Sequence, residues 1–498
     1  MNVNPITRLD YPDPDVIRVE DTYYMVSTTM HFMPGCEILQ SFDLVHWEHV
    51  TYVYETLDHT DAQQLKSGHN IYGQGMWAAS LRYHEGRFYI CFVANDTRKT
   101  YLYTSEKIDG PWKKQLIEGF YHDGSLLFDE DGRNYIVYGN DEIWITELNE
   151  DLTAPKKDGL HRLLVSDHKN PELGYEGSHI QKINGYYYIF LIHSLRDRWM
   201  RTEACFYSDS LEGEFTGGDV LCDDRGYCGQ GVAQGGIVDT PDGKWYAMLF
   251  QDSGAVGRIP ILVPVTWKDH FPFFGQNGHV PEEIEVHSTR PGYIYQPLVG
   301  SDDFCNGLLP RWQFNHDPDP RYYHLDALQG TYTITTREVC TELTQAVNTL
   351  TQRMSYPSCA AEVTVDASAL KEGDVAGLCA LQSCYAAVGI TKHHGKYEVL
   401  MLDKKEDGIL DMTEGTVVES HQMDFRLEAD FCNMKDEARC YYRVNKGDWL
   451  PIGTVHKLYF KLDHFTGCRF GLFCYAAEET GGSACFRDFK YYDVDEIS

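Results

Sequence analysis

A strand, a tight turn and a second, tyrosine-rich strand recur five times in the first part of this chain, and that repetition leaves few folds open. The copies run from Val16 to Met25, Leu81 to Ile90, Leu126 to Tyr135, His179 to Tyr188 and Ile237 to Tyr246. Each carries Gly, Asp or Asn at its turn, residues that accept positive φ, and so reads as a β-hairpin. Tyr24, Tyr89, Tyr135, Tyr187 and Tyr246 mark equivalent places in the five copies. They lie roughly fifty residues apart, enough chain for four short antiparallel strands. Almost no segment before residue 290 has helical periodicity. A β-solenoid needs shorter and more regular repeats, so the pattern predicts an all-β chain that begins with a five-bladed β-propeller.

Aligned on these tyrosines, the repeats place Asp13, Ala78, Asp123, Glu176 and Gln234 at one register, at the start of the first hairpin strand. If that strand is the innermost of its blade, the five positions face the axis at one end of the funnel. Three of the five are acidic. Like charges gathered around an axis cost stability unless function, a cation or a ligand requires them, so Asp13, Asp123 and Glu176 are the candidate catalytic residues.

A chain of 498 residues exceeds what one ordinary core holds, and two domains are expected. Residues 1–290 form the propeller. Residues 301–498 contain alternating strands such as Cys359 to Val365, Tyr385 to Ile390 and Lys457 to Leu462, which fit a two-sheet β-sandwich. Pro and Gly concentrate in residues 288–297, the expected linker. The net charge of -32, from 75 acidic against 43 basic residues, repels phosphate backbones and anionic lipids, which argues against nucleic-acid and membrane partners. A neutral sugar meets no such barrier. No signal peptide or membrane-length apolar stretch is evident, so a cytoplasmic protein is expected. The 15 cysteines, mostly in apolar strand-like runs without a C-x-x-C spacing, read as reduced packing residues. Nothing calls for a cofactor, and oligomeric state is not readable.

Several stretches resemble glycoside hydrolase family 43. They are Pro12-Asp13-Pro14, the run from Tyr24 to Gly35 leading into Ser41 to Trp47, Gly75 to Ser80, Asp109 to Trp112, His122-Asp123-Gly124-Ser125 and Tyr175-Glu176-Gly177-Ser178-His179. They cover roughly the first 285 residues in family order, and the remainder resembles the concanavalin-like sandwich that many exo-acting members carry. The resemblance implies a propeller with an axial pocket that removes arabinofuranose, xylose or related pentoses with inversion. It assigns Asp13 as the catalytic Asp, Asp123 as the pKa modulator and Glu176 as the general acid. It also implies that Phe32 closes the terminal sugar subsite and that Arg258 lies near the non-reducing sugar. Trp77 is a candidate stacking platform, with ordinary core packing as the alternative. Many relatives carry a fifth-blade His that helps hold an axial cation. Gln234 stands at that register here, so no metal is expected.

Inversion needs a carboxylate that deprotonates water and an acid that protonates the leaving oxygen, about 6.5 to 9.5 Å apart. Asp13 and Glu176, on the first and fourth blades, suit that separation. The expected function is release of a terminal pentose, foremost α-L-arabinofuranose, from hemicellulose oligosaccharides. A β-1,4-xylosidase or a bifunctional enzyme is the alternative. A sugar-binding propeller without turnover would lack a member of the trio, and none is lacking. The Trp-Met-Asn-Asp-Pro-Asn motif of retaining fructosidases is absent.

Overall fold

In a computed structural model, which describes residues 3–493, the five hairpins are the two innermost strands of five sheets set around one axis. The inner strands are Asp15–Val19, Met76–His84, Ser125–Phe128 and Glu176–Ile183, and in the fifth blade the split pair Val232–Ala233 and Ile237–Asp239. The first four sheets have four antiparallel strands each. No α-helix occurs among the described residues, and so no helix there is long and apolar enough to cross a membrane.

Alternation along each strand builds the core. Ile90, Phe92 and Ala94 of the second blade pack toward Ile38, Val53 and Tyr54 of the first, while Cys91 and Leu102 face Leu126 and Ile136 of the third. The ring is closed by the N-terminal segment, which runs along the fifth-blade strand Arg258–Lys268. The Asn4 side chain exchanges two hydrogen bonds with Leu262, both 2.8 Å, and Tyr11 N–H donates to Arg258 O at 3.1 Å.

Beyond residue 312 two sheets of nine and seven strands face each other over one apolar core. The nine-stranded sheet takes its edge strand, Phe32–Met33, from the loop of the first blade, which pairs with Gln313–Asn315. Ala255, Val256 and Ile259 of the fifth blade are buried in the same core. Residues 288–297 lie as irregular chain strapped to the first blade, where Gln296 N–H donates to Glu48 and Arg290 pairs with Asp21.

Asp10 is one of the joints between propeller and sandwich. Its carboxylate accepts the N–H of Arg258 at 2.8 Å and of Gly467 at 2.8 Å, and its carbonyl accepts Arg353 Nε at 2.9 Å. Gly257 has φ of 109°, and a Cβ there would stand 2.4 Å from the Asp10 carboxylate, so only glycine lets the chain pass. Asp10→Ala leaves two buried N–H groups unpaired, at about 1 to 3 kcal/mol each. The expected result is a melting temperature lowered by several degrees in a circular-dichroism scan, and an unchanged one would contradict this joint.

Candidate active site

The backbone at the head of each inner strand is unusual. Asp13, Asp123 and Gln234 adopt left-handed φ of 53°, 47° and 61°. In the second and fourth blades a bulge follows Met76 and Glu176 instead. Strained or bulged backbone re-aims side chains away from the sheet face, and such geometry gathers where side chains are wanted at a site. All five register positions, Asp13, Ala78, Asp123, Glu176 and Gln234, line one cavity of about 260 Å³. A larger cleft of about 760 Å³ lies at the outer edge of the second and third blades, among Arg87, Glu106, Lys107 and Asp151, but among the described residues it is at the axis that His122, Asp123 and Glu176 bring their polar atoms within 4.8 Å of one another. The convergence of acids, rather than volume, identifies the candidate site.

Each acid is held differently. Asp13 accepts Thr28 Oγ1 at 2.6 Å and the Arg258 guanidinium at 3.1 and 3.4 Å. Asp123 accepts the N–H of Gly177 at 3.0 Å. Glu176 Oε2 accepts Asn140 Nδ2 at 2.7 Å and lies 3.4 Å from His122 Nε2, which is itself 3.5 Å from Asp123 Oδ2. Burial, followed by the charges of Glu176 and Asp13, pushes the Asp123 carboxyl up to about 6, against the pull of His122 and the Gly177 N–H. Burial works against a charge on His122, yet Asp123, Glu176 and Asp13 together raise it to about 9. Gly177 has φ of 65°, and a Cβ there would meet the Gln234 side chain at 2.7 Å. This close approach brings Gln234 beside the backbone that follows Glu176.

Arg258 is buried, with its guanidinium 4.3 Å above the Phe465 ring and its NH2 donating to Phe465 O at 3.4 Å. Trp77 lines the cavity in edge contact with His122 and Phe465. Phe32 requires a correction. It is not among the cavity-lining residues and is only 1% exposed, packed under the Arg469 guanidinium at 3.4 Å and paired into the sandwich sheet. Its loop leaves the first blade to become a sheet edge, which takes the ring away from the cavity.

His122, Thr28, Asn140, Trp199, Arg201 and the sandwich residues Leu462 and Phe465 were not singled out by sequence reasoning. His122 was open to it, standing next to Asp123 at the register position. Phe465 was not, because only the docking of the second domain brings it over the pocket.

The residues present do not suit an axial metal ion. The place where the inner strands converge below the cavity is filled by the guanidinium of Arg82, paired with Asp15 at 2.8 Å. Within the cavity, His122, Asp123 and Glu176 bring ligating atoms within 4.8 Å of one another.

The comparisons with known proteins agree with this geometry. The family model described as glycosyl hydrolases family 43 matches residues 3–272, and one described as beta xylosidase C-terminal concanavalin A-like domain matches residues 301–492. A beta-xylosidase of Formosa agariphila is 26% identical, over 99% of this chain and 89% of its own. A non-reducing end alpha-L-arabinofuranosidase of Bacteroides ovatus is 24% identical, over 82% and 79%. A solved structure from Bacteroides eggerthii, described as a bifunctional GH43-CE protein, superposes on 98% of this chain with a TM-score of 0.92 and 42% identity. This chain spans 63% of that protein's length.

The pairing of His122 with two carboxylates sets a pH dependence. Its folded value of about 9 lies above the ordinary 6.5, so its contribution to stability is fully present below pH 6.5 and is lost as pH rises through 9. The melting temperature of the wild type should therefore exceed that of His122→Gln by a margin that shrinks between pH 6.5 and 9.5. A margin constant across that window in scanning calorimetry would contradict the charged pairing.

Proposed function

We propose that this chain, which belongs to glycoside hydrolase family 43, is an exo-acting, inverting enzyme that removes a terminal pentose, foremost α-L-arabinofuranose, from hemicellulose oligosaccharides. Family membership supports the glycosidase. The observation that carries the finer reading is the single cavity in which carboxylates from three blades meet under a cover supplied by the sandwich. Its volume of about 260 Å³ lies below the roughly 300 to 1,000 Å³ of pockets for drug-sized ligands, which suits a single terminal sugar.

Asp13 faces two donors, Thr28 and Arg258, and serves as the base that takes a proton from the attacking water. Water adds to the anomeric carbon as its bond to the leaving oxygen breaks, and Glu176 gives its proton to that oxygen. Both hydrogen-bond contacts to Glu176 fall on Oε2, so Oε1 is the atom left for the leaving group. Asp123, tied to the backbone after Glu176 and joined to it through His122, orients the acid and offsets oxocarbenium charge. Phe465 and Leu462 overhang the sugar, and Trp77 and Arg258 flank it. A cover of this kind admits a chain end and not the middle of a polymer, which supports exo action.

The β-xylosidase reading draws support from the Formosa agariphila relative. Nitrophenyl α-L-arabinofuranoside and β-D-xyloside, assayed side by side, separate the two. The residue roles are tested by leaving group. Dinitrophenolate departs without a proton, so Glu176→Gln should keep most activity on a dinitrophenyl glycoside while losing about 100-fold or more on an oligosaccharide. Asp13→Asn should lose activity on both. Equal loss on the two substrates in the Glu176 variant would refute its role as the acid.

A further inference from the structure

One charged side chain touches the inner strands of four blades. Arg82, on the inner strand of the second blade, uses all five of its N–H donors. Nε donates to Leu126 O at 2.9 Å, NH1 to Asp15 Oδ2 at 2.8 Å and Leu81 O at 2.6 Å, and NH2 to Ser125 Oγ at 2.7 Å and Ile180 O at 3.3 Å. Asp15 also accepts the N–H of Leu81 at 2.7 Å and pairs with His179 Nδ1 at 3.0 Å. Gly236 of the fifth blade completes the ring of contacts. A Cβ there would stand 3.3 Å from His179 Nδ1 and 3.5 Å from Asp15 Oδ1.

The partners of Arg82 are placed in a telling way. Asp15 follows Asp13 by two residues, Ser125 follows Asp123 by two, and Ile180 follows Glu176 by four. Asp15 and Ser125 open the inner strands that Asp13 and Asp123 lead into, and Ile180 lies on the strand that Glu176 opens. Arg82 therefore grips, one layer down the axis, the same three strands whose heads carry the three acids. Below it the strands open into a second funnel at the opposite face, which Arg82 also lines. The node thus stands between the two openings, behind the residues that line the cavity.

We infer that Arg82 is the positioning residue that sets the mutual spacing of Asp13, Asp123 and Glu176, its guanidinium serving at the axis as a built-in cation. This rests on the roles proposed above for the three acids. The planar fork matters as much as the charge. A carboxylate, a hydroxyl and carbonyls from three neighbouring blades are satisfied in fixed directions, and a lysine ammonium has only three donors and no fork. Because the acids are reached through their strands, losing the fork changes where they stand, not what they are.

The test uses the full chain with Arg82→Lys and Arg82→Ala, with melting curves to establish the folded range. Misplacement of reacting groups by about 1 Å costs about 100-fold, and a fall in kcat of that order on the dinitrophenyl glycoside is expected in Arg82→Lys, with KM little changed. Arg82→Ala should fall further and recover part of its kcat in millimolar guanidinium chloride, but not in calcium chloride. Wild-type kcat in folded Arg82→Lys overturns the inference, as does recovery of Arg82→Ala by calcium in place of guanidinium. If Arg82→Ala does not fold, the lysine variant decides alone, by loss or retention of kcat. A wild type inactive on every glycoside would instead refute the reading of the acids on which the inference stands.

Discussion

Carboxylates crowded around the axis of a closed ring repel one another, and this molecule has to neutralise that repulsion layer by layer. In the upper layer Asp13, Asp123 and Glu176 are met by Arg258 from the fifth blade and by His122 between two of them. In the layer below, Asp15 is met by Arg82 and His179. Removing one partner from a buried pair is far costlier than the pair is worth, because it strands a charge in low dielectric. The two layers therefore hold the blades as one unit, in a chain whose overall charge is -32.

The propeller supplies the ring and the sandwich completes the pocket. Arg258 links the two, donating to Asp13 on one side and to Phe465 O on the other. Its backbone N–H is held by Asp10, whose other oxygen holds Gly467, two residues beyond Phe465. A short chain of buried hydrogen bonds thus joins the covering loop to the acid that the proposed mechanism uses as base. The docked second domain therefore helps to shape the site.

Much of the propeller was legible because its determinants are local. A hairpin turn, an alternating strand and an anchor tyrosine lie within ten residues of one another, and five copies fix a register that carries Asp13, Ala78, Asp123, Glu176 and Gln234 to the same cavity. Phe32 was misread because its fate is decided by Gln313–Asn315, a strand nearly three hundred residues away. Phe465 and Leu462 escaped notice for the same reason. Arg82 sits in a hairpin already noted for its pattern, but its five bonds reach three other blades, and one strand read alone does not display them. His122 adjoins Asp123 in the sequence, but an imidazole gains meaning only from the carboxylates that surround it, and Glu176 and Asp13 come from other blades.

Asp13 and Glu176, from separate blades, line one cavity, and the proposed roles give the attacking water to one and the leaving group to the other. The stereochemistry of the first product tests this most directly. Proton NMR of a hydrolysis run, recorded before mutarotation scrambles the sugar, reads the anomeric configuration of the released pentose. Two carboxylates acting as acid and base give the inverted anomer first. The retained anomer appearing first would mean a covalent intermediate on one of the acids, and would contradict the roles assigned to Asp13 and Glu176.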